Sequence, residues 1–190
     1  MKLSNGQIVL RELTMADTAA VHAYASQAIV SRYQPWGPNT QEDTEEFVAQ
    51  AITDRQQMPR KRFCFGLEYD GAFIGSGELY VTDTYNAIAE IGYVIASDYW
   101  GKGFATSLAN LLLAFGFEQL DLHRIFATCD PENHGSYKVM EKVGMQREGL
   151  LRANVRMKGG WRDSLLYSIL TDEWSGTDYM IDWEEGHDIT

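Results

Sequence analysis

Residues 100–105 read Trp100-Gly101-Lys102-Gly103-Phe104-Ala105, between the apolar run Ile91-Gly92-Tyr93-Val94-Ile95 and a longer apolar stretch over residues 106–120. A β-rich run, two closely spaced glycines and then an apolar run of helical length confine the segment to a strand, a tight turn and a helix. Glycine takes positive φ at little cost and lets a backbone come close to a ligand. Free N–H groups at the start of a helix, with the positive end of its dipole, make a ready site for phosphate. A plain strand-to-helix turn uses the same residues, and a short Gly-x-Gly leaves both readings open.

With 190 residues and 45% apolar content, the chain is long enough for one full core. We read one domain over residues 1–174, followed by an acidic tail over residues 175–190. No run is long and apolar enough for a membrane span, and the first residues lack the apolar segment of a signal peptide. The expected location is therefore the cytoplasm, with no membrane partner. Cys64 and Cys129 fall in apolar strand-like runs, without metal-ligand spacing, and read as reduced core thiols. The net charge of −11 argues against nucleic-acid binding and suggests a cationic substrate. Seven of the acids, however, crowd into residues 171–190, which hold no Lys or Arg, so much of that charge belongs to the tail. There Tyr179, Met180, Ile181 and Trp183 alternate with acids, a composition suited to wrapping the body or a partner subunit, or to disorder; a homodimer stays open.

Along the chain, residues 8–13 read as a strand, and Thr14 with Asp17 starts a helix that runs to about Ser26. Residues 31–39 hold Pro35, Gly37 and Pro38 around Tyr33 and Trp36, an irregular segment whose aromatics we expect to pack the core rather than line a pocket. Thr40 with Asp43 caps a second helix to about Arg55. Strands over 63–69 and 72–80 flank Asp70-Gly71, a strong hairpin signal, and residues 87–95 continue the meander. After the glycine loop and its helix come a strand over 124–129, a helix over 133–143 ended by Gly144, and two strands flanking Gly159-Gly160. The expected class is α/β in the α+β sense: a mixed, largely antiparallel sheet with helices on both faces.

That order, with a phosphate-type loop after the fourth strand, resembles the GNAT superfamily of acyl-CoA N-acyltransferases over nearly the whole chain. The superfamily's loop motif is Gln/Arg-x-x-Gly-x-Gly/Ala; Gly103 and Ala105 are in register, and Trp100 replaces the Gln or Arg. Residues 130–136, with Pro131, Asn133 and Ser136, followed by Gly144-Met145, resemble the Pro-x-Asn-x-x-Ser/Ala…Gly-Phe segment. Many members place a Tyr four residues before that glycine as acid for the departing thiolate, and Met140 stands there here. This loss, with Glu148-Gly149-Leu150-Leu151-Arg152 and residues 162–168, resembles the Rim-type branch, whose members acetylate N-terminal amines of ribosomal proteins.

The resemblance implies acetyl-CoA as acetyl donor and an amine as acceptor. It implies a splay between the fourth and fifth strands, where the backbone of Tyr93, Val94 and Ile95 pairs with pantetheine and an N–H near Val94 or Ile95 polarises the thioester. Trp100, Gly101, Lys102, Gly103, Phe104, Ala105 and Thr106 become the pyrophosphate loop, Asn133 a partner of the pantetheine amides, and Ser136 the acid. Asn133 equally suits a helix N-cap. For the base, Glu90 near the splay is preferred to Glu78 on the preceding strand, although either suits a surface-facing strand position; burial would raise such a carboxyl toward neutrality. His134 reads as a solvated loop residue before it reads as a base, and His22, His123 and His187 lack ligand spacing, so no metal is expected. The acceptor is expected to be a protein N-terminus or a small amine. Acetylation of a polyamine or antibiotic, and acyl-CoA binding without catalysis, are the alternatives.

Overall fold

The computed structural model describes residues 1–176 and the backbone of 182–184. Two short strands, β1 (Lys2–Ser4) and β2 (Val9–Glu12), lead through a 3-10 turn into helix α1 (Thr18–Ala25), the short α2 (Ala28–Ser31) and α3 (Gln41–Asp54). Next come the meander β3 (Arg62–Tyr69), β4 (Ala72–Asp83) and β5 (Ile88–Ile95), then helix α4 (Phe104–Ala114) and strand β6 (Arg124–Cys129). Helix α5 (His134–Lys142), the hairpin β7 (Gln146–Met157) and β8 (Gly160–Leu170), and β9 (Asp182–Glu184) complete the chain. The strands form one sheet in the order β7-β8-β6-β5-β4-β3-β2-β1-β9.

Local chemistry explains most of these boundaries. Thr40 and Asp43 cap α3 reciprocally: the Asp43 N–H donates to Thr40 Oγ1 at 3.2 Å and the Thr40 N–H to Asp43 Oδ2 at 2.8 Å. Asp70 and Gly71 both take positive φ, as a tight β3–β4 turn requires. Two expectations need correction. The glycine-loop helix begins at Phe104 rather than Thr106 and ends in a π-helical turn, Phe115–Gln119. The tail also supplies a strand, β9, antiparallel to β1, and neither strand was expected. The remaining tail, with Tyr179, Met180 and Ile181, lies outside the described residues.

Helices cover both faces. On one, Leu108, Leu111 and Leu112 of α4 are fully buried against Leu79, Ile91 and Ile125, each removal from water worth roughly 2 kcal/mol. The helix lies that close because a Cβ on Gly77 would stand 2.8 Å from Leu108. On the other face, Val21 and Tyr24 of α1 and Val48 and Ala51 of α3 pack over Leu13 and Cys64.

β5 and β6 run parallel, and their ladder stops early. It pairs Ile88, Ala89 and Glu90 with Arg124, Ile125 and Phe126 and goes no further, although both strands continue. Beyond that point they diverge, leaving one edge of residues 91–95 without a neighbouring strand.

Candidate active site

The backbone at the splay has a definite polarity. The Ala96 N–H donates to the Ile74 carbonyl of β4, and the Ala87 carbonyl accepts from His123 and Arg124 at the start of β6. Alternation along β5 therefore turns the amides of Tyr93 and Ile95 into the gap and that of Val94 toward β4. Of the two N–H groups expected to polarise a thioester, only that of Ile95 faces the gap, and the Tyr93 N–H joins it there. Val94 also lines the cleft and packs against the Leu13–Cys64 cluster.

The glycine loop closes this cleft of about 680 Å³. Gly103, at φ 87°, is the N-cap of α4 and brings no capping side chain. The first residue of the helix bonded back is Ser107, whose N–H donates to the Gly103 carbonyl, so the amides of Phe104, Ala105 and Thr106 are left for an anion. Open space surrounds the Cα of Gly101 and of Gly103, room that a ligand's phosphates would fill. The Phe104 ring is buried against Tyr69 and Tyr99, so this residue offers backbone alone. Lys102 departs from expectation: its Nζ donates to the Asp98 carbonyl at 2.9 Å and lies over the Tyr99 ring, outside the cleft lining. Trp100 binds the loop to the strand, its Nε1 donating to the Ile95 carbonyl at 2.7 Å.

Across the cleft, Asn133 caps α5, its Oδ1 accepting from the Ser136 N–H at 3.2 Å, which leaves its amide nitrogen for the cleft. The Tyr93 hydroxyl donates to the Ser136 carbonyl at 3.0 Å and lies 3.3 Å from Ser136 Oγ. Arg32, Lys138 and Lys142 also line this cleft and were missed. Lys138 and Lys142 follow His134 at helical spacing, a pattern legible once α5 is known to start at the cleft.

A second cleft of about 520 Å³ opens on the other face and meets the first at Tyr33, Tyr93, Asn133 and Ser136. Trp36 packs against the Leu13–Cys64 cluster, as expected, and also lines this cleft, whereas Tyr33, expected in the core, is half-buried in its wall. Glu78 and Glu90 both line it. The Glu78 carboxylate is held by Arg62 at 2.7 Å, and Arg62 also reaches Asp54 at 3.1 Å. Glu90 has no cationic partner among the described residues; Thr128 Oγ1 donates to it at 3.1 Å. Burial pushes the Glu90 carboxyl up, Thr128 pulls the other way, and the Glu78 charge adds to the rise. Arg162, also missed, donates to the Tyr33 carbonyl at 2.6 Å and to Ser164 Oγ at 3.1 Å, tying the last hairpin to the 31–39 loop. Met140, four residues before Gly144, is buried and offers no proton. Another cavity, of about 710 Å³, is lined by other residues, with Arg60 already paired to Glu12.

Among the described residues no cluster of His, Cys, Asp and Glu is placed to hold a metal ion, and no helix is long and apolar enough to cross a membrane.

Known proteins share this arrangement. Residues 7–146 match the family described as acetyltransferase (GNAT) domain. The uncharacterized N-acetyltransferase YnaD of Bacillus subtilis is 36% identical over 178 residues, 92% of this chain and 100% of its own length. Spermidine N(1)-acetyltransferase of Escherichia coli is 29% identical over 88% of each chain. The structure of Mycobacterium smegmatis RimJ in complex with CoA-disulfide superposes with a TM-score of 0.81 at 31% identity, covering 93% of this chain and 89% of that one. A parallel strand pair that parts beside an uncapped, glycine-led helix is what a CoA thioester needs, and with these matches the chain belongs to the GNAT family as an acetyl-CoA-dependent acetyltransferase.

Proposed function

We propose that the acceptor is a single primary amine presented as a peptide N-terminus, of a ribosomal or other protein. The observation that carries this reading is Glu90. Of the two glutamates in the second cleft, Glu78 is neutralised by Arg62, and Glu90 alone lacks a cationic partner. One free carboxylate suits one ammonium; a polyamine, with several, would need more. The likeness to RimJ supports the same class, whereas the spermidine relative represents the competing one.

Acetyl-CoA supplies an activated acetyl group. The amides of Phe104, Ala105 and Thr106, with Arg32, Lys138 and Lys142, hold its phosphates, and the backbone of Tyr93 and Ile95 with the Asn133 amide holds the pantetheine arm. Glu90, directly or through one water, takes a proton from the acceptor ammonium so that a neutral nitrogen attacks. The Ile95 N–H polarises the carbonyl, and the Ser136 hydroxyl supports thiolate departure. Residues 1–174 act as one domain, and the buried free thiols of Cys64 and Cys129 suit the cytoplasm.

Thioester consumption with peptides bearing free N-termini, beside spermidine and an amine-bearing antibiotic, tests the reading. Peptides should exceed the polyamine in kcat/KM by about tenfold or more. A polyamine preference overturns the acceptor class, and no turnover with any amine overturns catalysis itself.

A further inference from the structure

Ser136 stands where the two clefts meet, and the contacts of its hydroxyl go beyond the sequence motif. The Tyr93 hydroxyl has one proton, which goes to the Ser136 carbonyl at 3.0 Å. Its oxygen, 3.3 Å from Ser136 Oγ, is then left to accept the serine proton. The Cys129 thiol also lies within hydrogen-bond reach of this hydroxyl, and the contact with the Tyr93 oxygen selects the rotor that faces away from it. Tyr93 is itself fixed: it packs against the main core, and its ring reaches across from the diverging β5 to the first turn of α5.

We propose that Tyr93 is a positioning residue that holds the Ser136 hydroxyl aimed at the junction of the clefts, ready to turn onto the leaving sulfur. The inference rests on the role given to Ser136 above. As the carbon–nitrogen bond forms and the carbon–sulfur bond breaks, the electron pair goes to sulfur. Glu90 has by then passed the ammonium's proton to solvent; it takes the second proton, shed by the nitrogen as the new bond forms, and this one completes the thiol through solvent, while Ser136 shifts its hydrogen bond from the Tyr93 oxygen to that sulfur. Tyr93 neither gains nor loses a proton, in keeping with a burial that pushes its hydroxyl far above the usual phenol range.

Two measurements test this, one of them independent of turnover. The thiol of CoA bound to the protein is titrated by its thiolate absorbance. Burial pushes the Cys129 thiol up to about 11 and that of Cys64 up to about 12, so the protein's own thiols stay out of the way. Tyr93→Phe should lower the thiolate fraction at a given pH by about threefold or more, and should lower kcat about tenfold with the KM for acetyl-CoA within about twofold. In a Ser136→Ala background, adding Tyr93→Phe should change neither quantity. A fluorinated tyrosine at position 93, with a weaker accepting oxygen, should give an intermediate loss; thermal denaturation and CoA calorimetry report folding. A wild-type titration and kcat in Tyr93→Phe, or an equal loss in both backgrounds, overturns the inference while leaving Ser136 its role. A Ser136→Ala protein that titrates and turns over like wild type removes both.

Discussion

The two clefts that meet at Ser136 are built from different materials. In the reading proposed above, the cofactor side relies chiefly on backbone: three uncapped amides of α4, the unpaired edge of β5 and a glycine at φ 87°. The acceptor side relies on charged side chains from distant segments, with Arg62 between Glu78 and Asp54, Arg162 on the Tyr33 carbonyl and Glu90 left over. Backbone groups neither titrate nor rotate away, so the first half suits a ligand common to a family. Side-chain networks change with one substitution and respond to pH, so the second half is where acceptors diverge.

The largest effect expected to separate the halves comes from Glu90→Gln. As a base Glu90 must be ionised, and burial has raised its pKa, so the wild-type rate should fall as pH drops through that raised value. The variant should lose about a hundredfold in kcat/KM near neutrality, along with that acid limb, and should regain part of the rate as pH rises toward the amine pKa. A folded-state pKa above the unfolded one contributes stability at low pH that is lost as pH rises, so Glu90→Gln should melt no lower than wild type at neutral pH. CoA affinity should not change. A wild-type pH–rate profile would return Glu90 to a structural role.

Gly103→Val attacks the other half. Its side chain would enter the open space by the free amides and force a β-branched residue to positive φ, weakening CoA binding by about 2 kcal/mol, roughly thirtyfold. Calorimetry reads this, and unchanged affinity in a folded variant would remove the loop from the site. The KM for the acceptor should move little.

A smaller effect sharpens the contrast in pH response. Asp17, at the start of α1 in the helical layer over the acceptor face, is gripped by both terminal nitrogens of Arg11 at 2.7 and 2.8 Å. The Arg11 guanidinium holds the Asp17 carboxyl down at about 2, against the desolvation that would raise it, with Thr14 assisting. A depressed folded-state value contributes stability above the unfolded pKa that is lost as pH falls through the folded one. Asp17→Asn should therefore cost about 1.5 kcal/mol at pH 7, with the gap to wild type closing between about pH 4 and pH 2 in denaturant melts. A gap that persists at low pH would assign the loss to packing.

Elements with a local cause were legible in the chain: the Thr40–Asp43 cap, the Asp70-Gly71 turn, the strand over 124–129 and the glycine loop each depend on neighbours in sequence. What was missed depends on partners far away. β1 and β9 are three residues each, too short for periodicity, and exist by pairing with each other and β2. Tyr33 looks like a core aromatic until the last hairpin arrives to make the other wall of a cleft. Lys102, in the middle of the motif, belongs to it by backbone and points elsewhere.

By itself the sequence determined the order of the longer elements, the class of sheet and the glycine-led turn into α4, because hydrophobic period, caps and positive-φ glycines act within a few residues of their cause. Only the tertiary structure decided that the β5–β6 ladder ends at Glu90, that the amides of Tyr93 and Ile95 rather than Val94 face the gap, and that Arg62 neutralises Glu78 and leaves Glu90 alone. These are outcomes of register and of side chains meeting across long stretches of chain, and no local pattern encodes which carboxylate will find its cation.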